Sequence, residues 1–283
     1  MSAAARPSLV VRAAVHAVIY AAALAMFVPV AWMITSSLKT QPEALSATPT
    51  FLPTGPPGRW QWSNYAEAWE IAELGRFYGN SLLVAIVVTV LSVAHNAIAG
   101  FAFAKLRFRA RRTTFGLMMA TMLLPFQVYF IFLYVLCGWL GYVDQLQALI
   151  VPFLASAFGV FYMRQSILTV PDSLLEAARI DGMSDFAVFW HIVVPLVRPG
   201  LGALAIFTFM ASWNNFFWPL IVIDSTDKFT LPLAVNRLTT DYFTPSPPVR
   251  MAAATILILP TVIVYLIFER AFIKGMTLTG VKG

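Results

Sequence analysis

One cysteine, three histidines and 11% charged residues leave this chain short of the side chains that most catalysis needs. Cys137 lies inside an apolar run, so neither an internal disulfide nor a cysteine-based metal site can be built. His16, His95 and His191 are far apart in sequence and have no metal-ligand spacing. No Gly-Lys pair occurs, which excludes the GxxxxGK[ST] loop that cradles nucleotide phosphates. HExxH and GxSxG are also missing, and with them the usual metalloprotease and esterase nucleophile patterns. No catalytic residue, resident metal or cofactor is expected of this chain.

What the sequence has is apolar length. Hydrophobic residues make up 59% of it and mean hydropathy is +0.77, against about 45–50% apolar residues in ordinary soluble domains. An all-α polytopic membrane protein in a lipid bilayer is the reading. The net charge of +6 is then an excess of Lys and Arg on one membrane face, and no nucleic-acid partner is expected. A single transmembrane domain covers 1–283, with six spans at about 13–33, 80–104, 114–136, 146–163, 200–223 and 251–268. The first is long enough at ~1.5 Å per residue to cross a ~30 Å core. The first run exceeds the apolar core of a cleavable signal, so it reads as a retained span.

With the N-terminus inside, thirteen Lys and Arg fall on the cytoplasmic side and six outside, which predicts cytoplasmic N- and C-termini. The basic run Lys105, Arg107, Arg109, Arg111 and Arg112 reads as a topology determinant. Between the first two spans, Ser63 or Asn64 is a candidate helix cap, with Tyr65 and Trp69 at the membrane interface. Proline within spans three, four and six (Pro125, Pro152, Pro260) predicts helices that bend around a pathway. His95 reads as a satisfied histidine bonding a neighbouring helix. Carboxylates are nearly absent from the spans, with Glu269 only at the exit of the sixth. That weighs against a proton-driven carrier. In SWNNFFWPL, Trp213, Asn214 and Asn215 join aromatic faces to amide groups and are candidate solute contacts, with shared packing as the alternative.

The longest polar interruption in the C-terminal half is 171–199, PDSLLEAARIDGMSDFAVFWHIVVPLVRP. Ser173 and Glu176 fit a capping box. Leu174, Ala177, Ala178 and Asp181 recur at helical spacing and form a narrow face. Gly182 stands where a left-handed residue would end the helix. Ser184 then caps a second helix with a bulky face of Phe186, Phe189, Trp190 and Val193, and Pro195 is expected to stop it. These are features of a docking surface.

The spacing Glu176-Ala177-Ala178, Asp181-Gly182, Ile192, Pro195 resembles the EAA signature of binding-protein-dependent ABC importer permeases. The wording IDGMSDFAVFWHIVVPL is similar to the MalG-type carbohydrate subunits. The resemblance runs from the first span to the C-terminal GVKG, with Met183 and Ser184 standing where small residues are commoner. It implies a type I permease fold of six transmembrane helices with a cytoplasmic coupling-helix loop at 164–199. It implies a bacterial or archaeal cytoplasmic membrane and a sugar, oligosaccharide or related solute. The implied partners are a second related permease, two ATP-binding cassette subunits that hold ATP and Mg, and an extracytoplasmic solute-binding protein. The EAA residues would then contact the ATPase, and the tail 275–283 is a further candidate contact. An ATP-independent carrier and a non-catalytic scaffold subunit are the alternatives.

Overall fold

The computed structural model describes residues 9–71, 73–238 and 245–280, with side chains at 10–70, 73–238 and 245–267. Arg6, the Glu269 side chain, the side chains of the tail 275–283 and residues 239–244 lie outside the described residues. The described secondary structure is helical, and the chain divides into two units, 1–74 with 237–258, and 75–236 with 259–283.

In the first unit, helix α1 (Leu9–Ser37) is apolar all round and exposed along most of its length, as suits a helix whose solvent is lipid. Its C-terminal carbonyls are not left bare. Asn64, buried at the start of α2 (Ser63–Ile71), donates from Nδ2 to the carbonyls of Ser37 (2.7 Å) and Lys39 (3.0 Å). Ser37 and Tyr65 share a 2.7 Å side-chain hydrogen bond. The buried Lys39 ammonium donates to Thr50 O at 2.6 Å and lies 4.3 Å over the Trp32 ring. The Asn-Tyr pair therefore ties α2 back to α1: Asn64 caps the preceding helix and not its own, and Tyr65 is turned inward. Trp69 alone of the two expected interface aromatics is exposed.

The second unit is built on α3 (Leu74–Lys105), crossed by α7 (Ala157–Leu168). Small residues permit the close approach. A Cβ at Gly100 of α3 would stand 2.7 Å from Met163 Cβ, and one at Gly159 of α7 would stand 2.4 Å from Asn96 Nδ2. Asn96 is fully buried; it donates to Ser92 Oγ (2.8 Å) and accepts from the Ser156 amide (3.2 Å). The interhelix polar link thus belongs to Asn96, whereas its neighbour His95 is exposed.

Three of the expected spans are not single helices. The third turns by 103° between α4 (Arg111–Thr121) and α5 (Phe126–Trp139). Pro125, lacking an N–H and disfavouring helix at Leu124, stands at the N-cap of α5. The fourth bends by 42° between α6 (Gln147–Phe153, with Pro152 in its final turn) and α7. The fifth begins at Arg198 as α10 (Arg198–Trp213), preceded by α8 (Asp172–Ile180) and by α9 (Asp185–Leu196), which meets α10 at 81°. It breaks after Trp213 and resumes as α11 (Phe217–Val222). After α12 (Leu231–Arg237), the last helix α13 (Pro247–Gly280) runs unbroken through Pro260, so that proline does not divide its span. Counting each bent pair as one span gives up to six among the described residues.

Candidate functional site

The stretch 171–199 folds as α8, a turn, and α9. Its first helix starts at Asp172, one residue before the expected capping box, and Pro171 is the N-cap without a side-chain bond. What holds the helix start is a cation. Lys105, at the C-terminal end of α3 and 5% exposed in its side chain, donates from Nζ to Val170 O and to Asp172 Oδ1, both at 2.6 Å. Hydrogen bonding to Lys105 and its charge hold the Asp172 carboxyl below the usual carboxylate range. A cation at α3's negative C-terminal end and an anion in α8's first turn also suit both helix dipoles.

The helix end matches its sequence expectation. Gly182 has φ +88°; its amide donates to Arg179 O (3.1 Å), and the Met183 amide reaches back to Ala178 O (3.0 Å), the two bonds of a Schellman close. Ser184 Oγ accepts from the Ala187 amide at 3.3 Å and starts α9. An Arg179–Asp185 ion pair at 2.8 Å spans the turn.

Burial corrects the faces. Leu175 and Ala178 of α8, with Val188, Phe189 and Val193 of α9, pack into a cluster with Phe101, Met163, Ile167 and Leu204. Leu174, Glu176, Ala177 and Asp181 are exposed, so the expected narrow face divides, and Ala178 alone of its members turns inward. The bulky face of α9 divides likewise: Phe186 is 70% and Trp190 46% exposed. Ile180 of α8, 86% exposed, stands with them as a third unburied apolar side chain. Glu176 has no hydrogen bond or ion pair among the described residues. Ile192 is half-buried against the cluster.

Pro195 does not stop α9. The helix widens to a π turn over Phe189–Val193 and continues to Leu196. Proline removes a donor and presses its ring on the carbonyl four residues back, and the extra residue of a π turn relieves that crowding. The reversal comes at Val197 (φ −100°, ψ 14°), before Pro199 in the first turn of α10.

The second unit also contains a cavity of about 1050 Å³. It is formed where the bent spans break: Met122, Leu124 and Phe126 line it from the third, Pro152, Phe153 and 155–158 from the fourth, and Asn215 and Phe217 from the fifth. Of the three candidate solute contacts, Asn215 alone reaches it. Trp213 is 1% exposed, edge-on to Tyr78 and stacked on Phe209. Asn214 donates to Met210 O (2.8 Å) in its own helix. Trp218 is buried and donates from Nε1 to Ala148 O at 2.9 Å.

Toward the opposite end of α3, Asp144 (φ 57°) staples the α5–α6 turn to 224–228. Its Oδ1 accepts from the amides of Asp224 (3.0 Å) and Ser225 (2.8 Å), its Oδ2 from the Ser225 hydroxyl, and Lys228 Nζ donates to its backbone carbonyl at 2.6 Å. These bonds hold its carboxyl well below the usual range. Neither this staple nor the Lys105–Asp172 pair is visible as a motif, because the partners are separated by 67 residues or more.

Comparison with known proteins gives this arrangement its context. Residues 96–278 match the family described as the binding-protein-dependent transport system inner membrane component. The arabinooligosaccharides transport system permease protein of Halalkalibacterium halodurans is 38% identical over 207 residues, 73% of this chain and 74% of that one. The lactose transport system permease protein of Rhizobium radiobacter is 31% identical over 261 residues, 92% and 93% of the two chains. The fold is that of a chain in the crystal structure of a bacterial ABC transporter involved in the import of the acidic polysaccharide alginate. The two agree with a TM-score of 0.82 at 22% identity, over 96% of this chain and 100% of that one. These matches make the chain a MalG-like member of the family of binding-protein-dependent transport system inner membrane components.

Proposed function

We propose that this chain is one of two permease subunits in an ATP-driven importer of a sugar or oligosaccharide, and that α8 and α9 are the handle gripped by a separate ATPase. The observation that carries the reading is the pairing of a braced interior with an unsatisfied exterior. Leu175, Ala178, Phe189 and Val193 fasten the loop to the bundle, while Ile180, Phe186 and Trp190 remain out beside an unpaired Glu176. A cleft in one of two ATP-binding cassette subunits, which would hold ATP and Mg, would cover them. A second permease completes the pathway, and an extracytoplasmic binding protein delivers the solute. The N- and C-termini and the loop 164–199 lie in the cytoplasm, in accord with the charge bias.

In this mechanism ATP closes the two ATPase subunits and carries the clefts together. The loop moves as a body because the Schellman close, the Ser184 cap and the Arg179–Asp185 pair fix α8 to α9. Lys105 passes the displacement to α3, and the cluster around Phe101 and Met163 passes it to α7 and α10. Only contacts that differ between the inward- and outward-facing states can couple hydrolysis to transport. Glu176 is the candidate partner for a basic residue in the cleft. The permease itself performs no chemistry.

Affinity purification in mild detergent tests the assembly: an ATPase, a second permease and a binding protein should co-purify. Glu176→Lys and Gly182→Pro should leave the chain inserted while separating ATP hydrolysis from uptake. Uptake by this chain alone in proteoliposomes would point instead to an ATP-independent carrier.

A further inference from the structure

The cavity at the three helix breaks holds chemistry that neither the EAA loop nor the family match assigns. Among the described residues its lining contains no Asp, Glu, Lys, Arg or His. It is not a plain apolar gap either. The Gln127 amide, the Asn215 Nδ2 group and the Thr208 and Ser212 hydroxyls have no partner among the described residues. Thr230, 6% exposed and part of the same lining, has a buried hydroxyl that is also unpaired. Gln127 is exposed and Thr208, Ser212 and Asn215 are half-buried, so the cost of about 1–3 kcal/mol for an unpaired buried group falls on the Thr230 hydroxyl alone. The others stand beside it as uncharged donors and acceptors open to a ligand. Between them stand the rings of Phe126, Phe207 and Phe217, and Phe126 meets Phe217 edge to face with centroids 6.2 Å apart. Rings that offer flat apolar faces beside uncharged donors and acceptors suit pyranose or furanose rings, whose C–H faces stack while their hydroxyls bond.

We infer that this cavity is a solute subsite of the subunit itself, selective for uncharged polyhydroxyl rings and closed to sugar acids and sugar phosphates. The inference rests on the import reading above and adds a location and a charge rule to it. A carboxylate or phosphate entering here would shed water and meet no cation, and burying an unpaired charge costs several kcal/mol even after relaxation. Asn215 has two tasks. Its Oδ1 accepts from the Trp218 amide at 3.4 Å and starts α11, and its Nδ2 donates to solute.

The test uses the full complex with its ATPase, second permease and binding protein. Proteoliposomes are offered arabinotriose, lactose and cellobiose as neutral probes and digalacturonate and glucose 6-phosphate as anionic ones. The neutral sugar imported best is then titrated, radiolabelled, onto the complex in nanodiscs without binding protein. Wild type should import a neutral probe and neither anion. Asn215→Asp, which keeps the Trp218 cap but loses the donor, and Gln127→Leu should each weaken sugar binding roughly fivefold to tenfold. Both should still assemble, read by co-purification of the ATPase and the second permease. Thr89→Val, whose wild-type hydroxyl bonds Ala85 O in its own helix and is absent from the lining, should match wild type. Import of a neutral sugar with unaltered binding in both variants would overturn the subsite and leave the import reading standing. Import of an anion as fast as a neutral sugar would overturn the charge rule. Import of no sugar of either class by an assembled, ATP-hydrolysing complex would overturn the import reading itself.

Discussion

Replacing Lys105 by Met removes one ammonium and keeps most of the side-chain volume, which makes it a clean test of how the loop is held. The lost bond to Val170 O is charge-assisted, 2.6 Å long and inside the protein, since the Lys105 side chain is 5% exposed and Val170 is buried. Such bonds contribute about 1.5–3 kcal/mol net. The Asp172 partner is solvent-exposed, so its share is screened and is left out of the figure. At about 1.4 kcal/mol per factor of ten, local opening of α8 should rise roughly 10- to 150-fold. Hydrogen exchange read by mass spectrometry on 172–182 should speed up by that factor, while peptides from α10 keep wild-type rates. The ratio of solute imported to ATP hydrolysed should fall in the same variant, because the loop would move without taking α3 along. Lys105→Arg should recover part of both. Unchanged exchange in α8 together with an unchanged transport ratio would refute the reasoning. The pair is not a pH switch near neutrality. Asp172 titrates lower when folded, so its contribution is complete above the ordinary carboxylate range and is lost only as pH falls below that range through the folded value.

Gly182→Ala places a Cβ in open space, so its cost is backbone alone at φ +88°, about 1–2 kcal/mol and readable as faster exchange of 179–183. Gly182→Pro should be far worse, because the amide bond to Arg179 O is lost and φ cannot be positive. Gly100→Ala forces its Cβ to 2.9 Å from the Arg164 backbone nitrogen, and this overpacking should destabilise the α3–α7 crossing by about 1–3 kcal/mol in detergent melts. Asp144→Asn should free 224–228, seen as proteolytic nicking there that wild type resists. In wild type the same staple should hold at neutral pH and weaken only in acid, as pH falls through a carboxylate value lowered by folding.

The loop was legible because its signals are local: Gly182 and Ser184 bring their own geometry, and each took its expected position. Its start was misread since Asp172 draws its partner from α3, and a basic run after a span looks like a topology marker whatever Lys105 touches. Apolar length made the helical stretches legible, three of them single long helices and three of them bent pairs, but the 103° turn at 122–125 was not, because only Pro125 marks it within a continuous apolar run. Pro260 shows the converse, a proline that the helix absorbs. In SWNNFFWPL, composition announced polar and aromatic groups in the membrane and could not say which way each faced. Trp213 and Trp218 turned into the core, and Asn215 faces the cavity beside an Asn214 bonded to its own helix.

The claim on which the rest depends is that the exposed side of α8 and α9 is gripped by the ATPase. A photo-crosslinking amino acid placed at Ile180, and separately at Phe186, reports that contact in intact membranes. An adduct to the ATP-binding subunit is expected at both positions, with a yield that changes when ATP analogue is added. Adducts to lipid alone, with the assembled importer active in the same membranes, would contradict it.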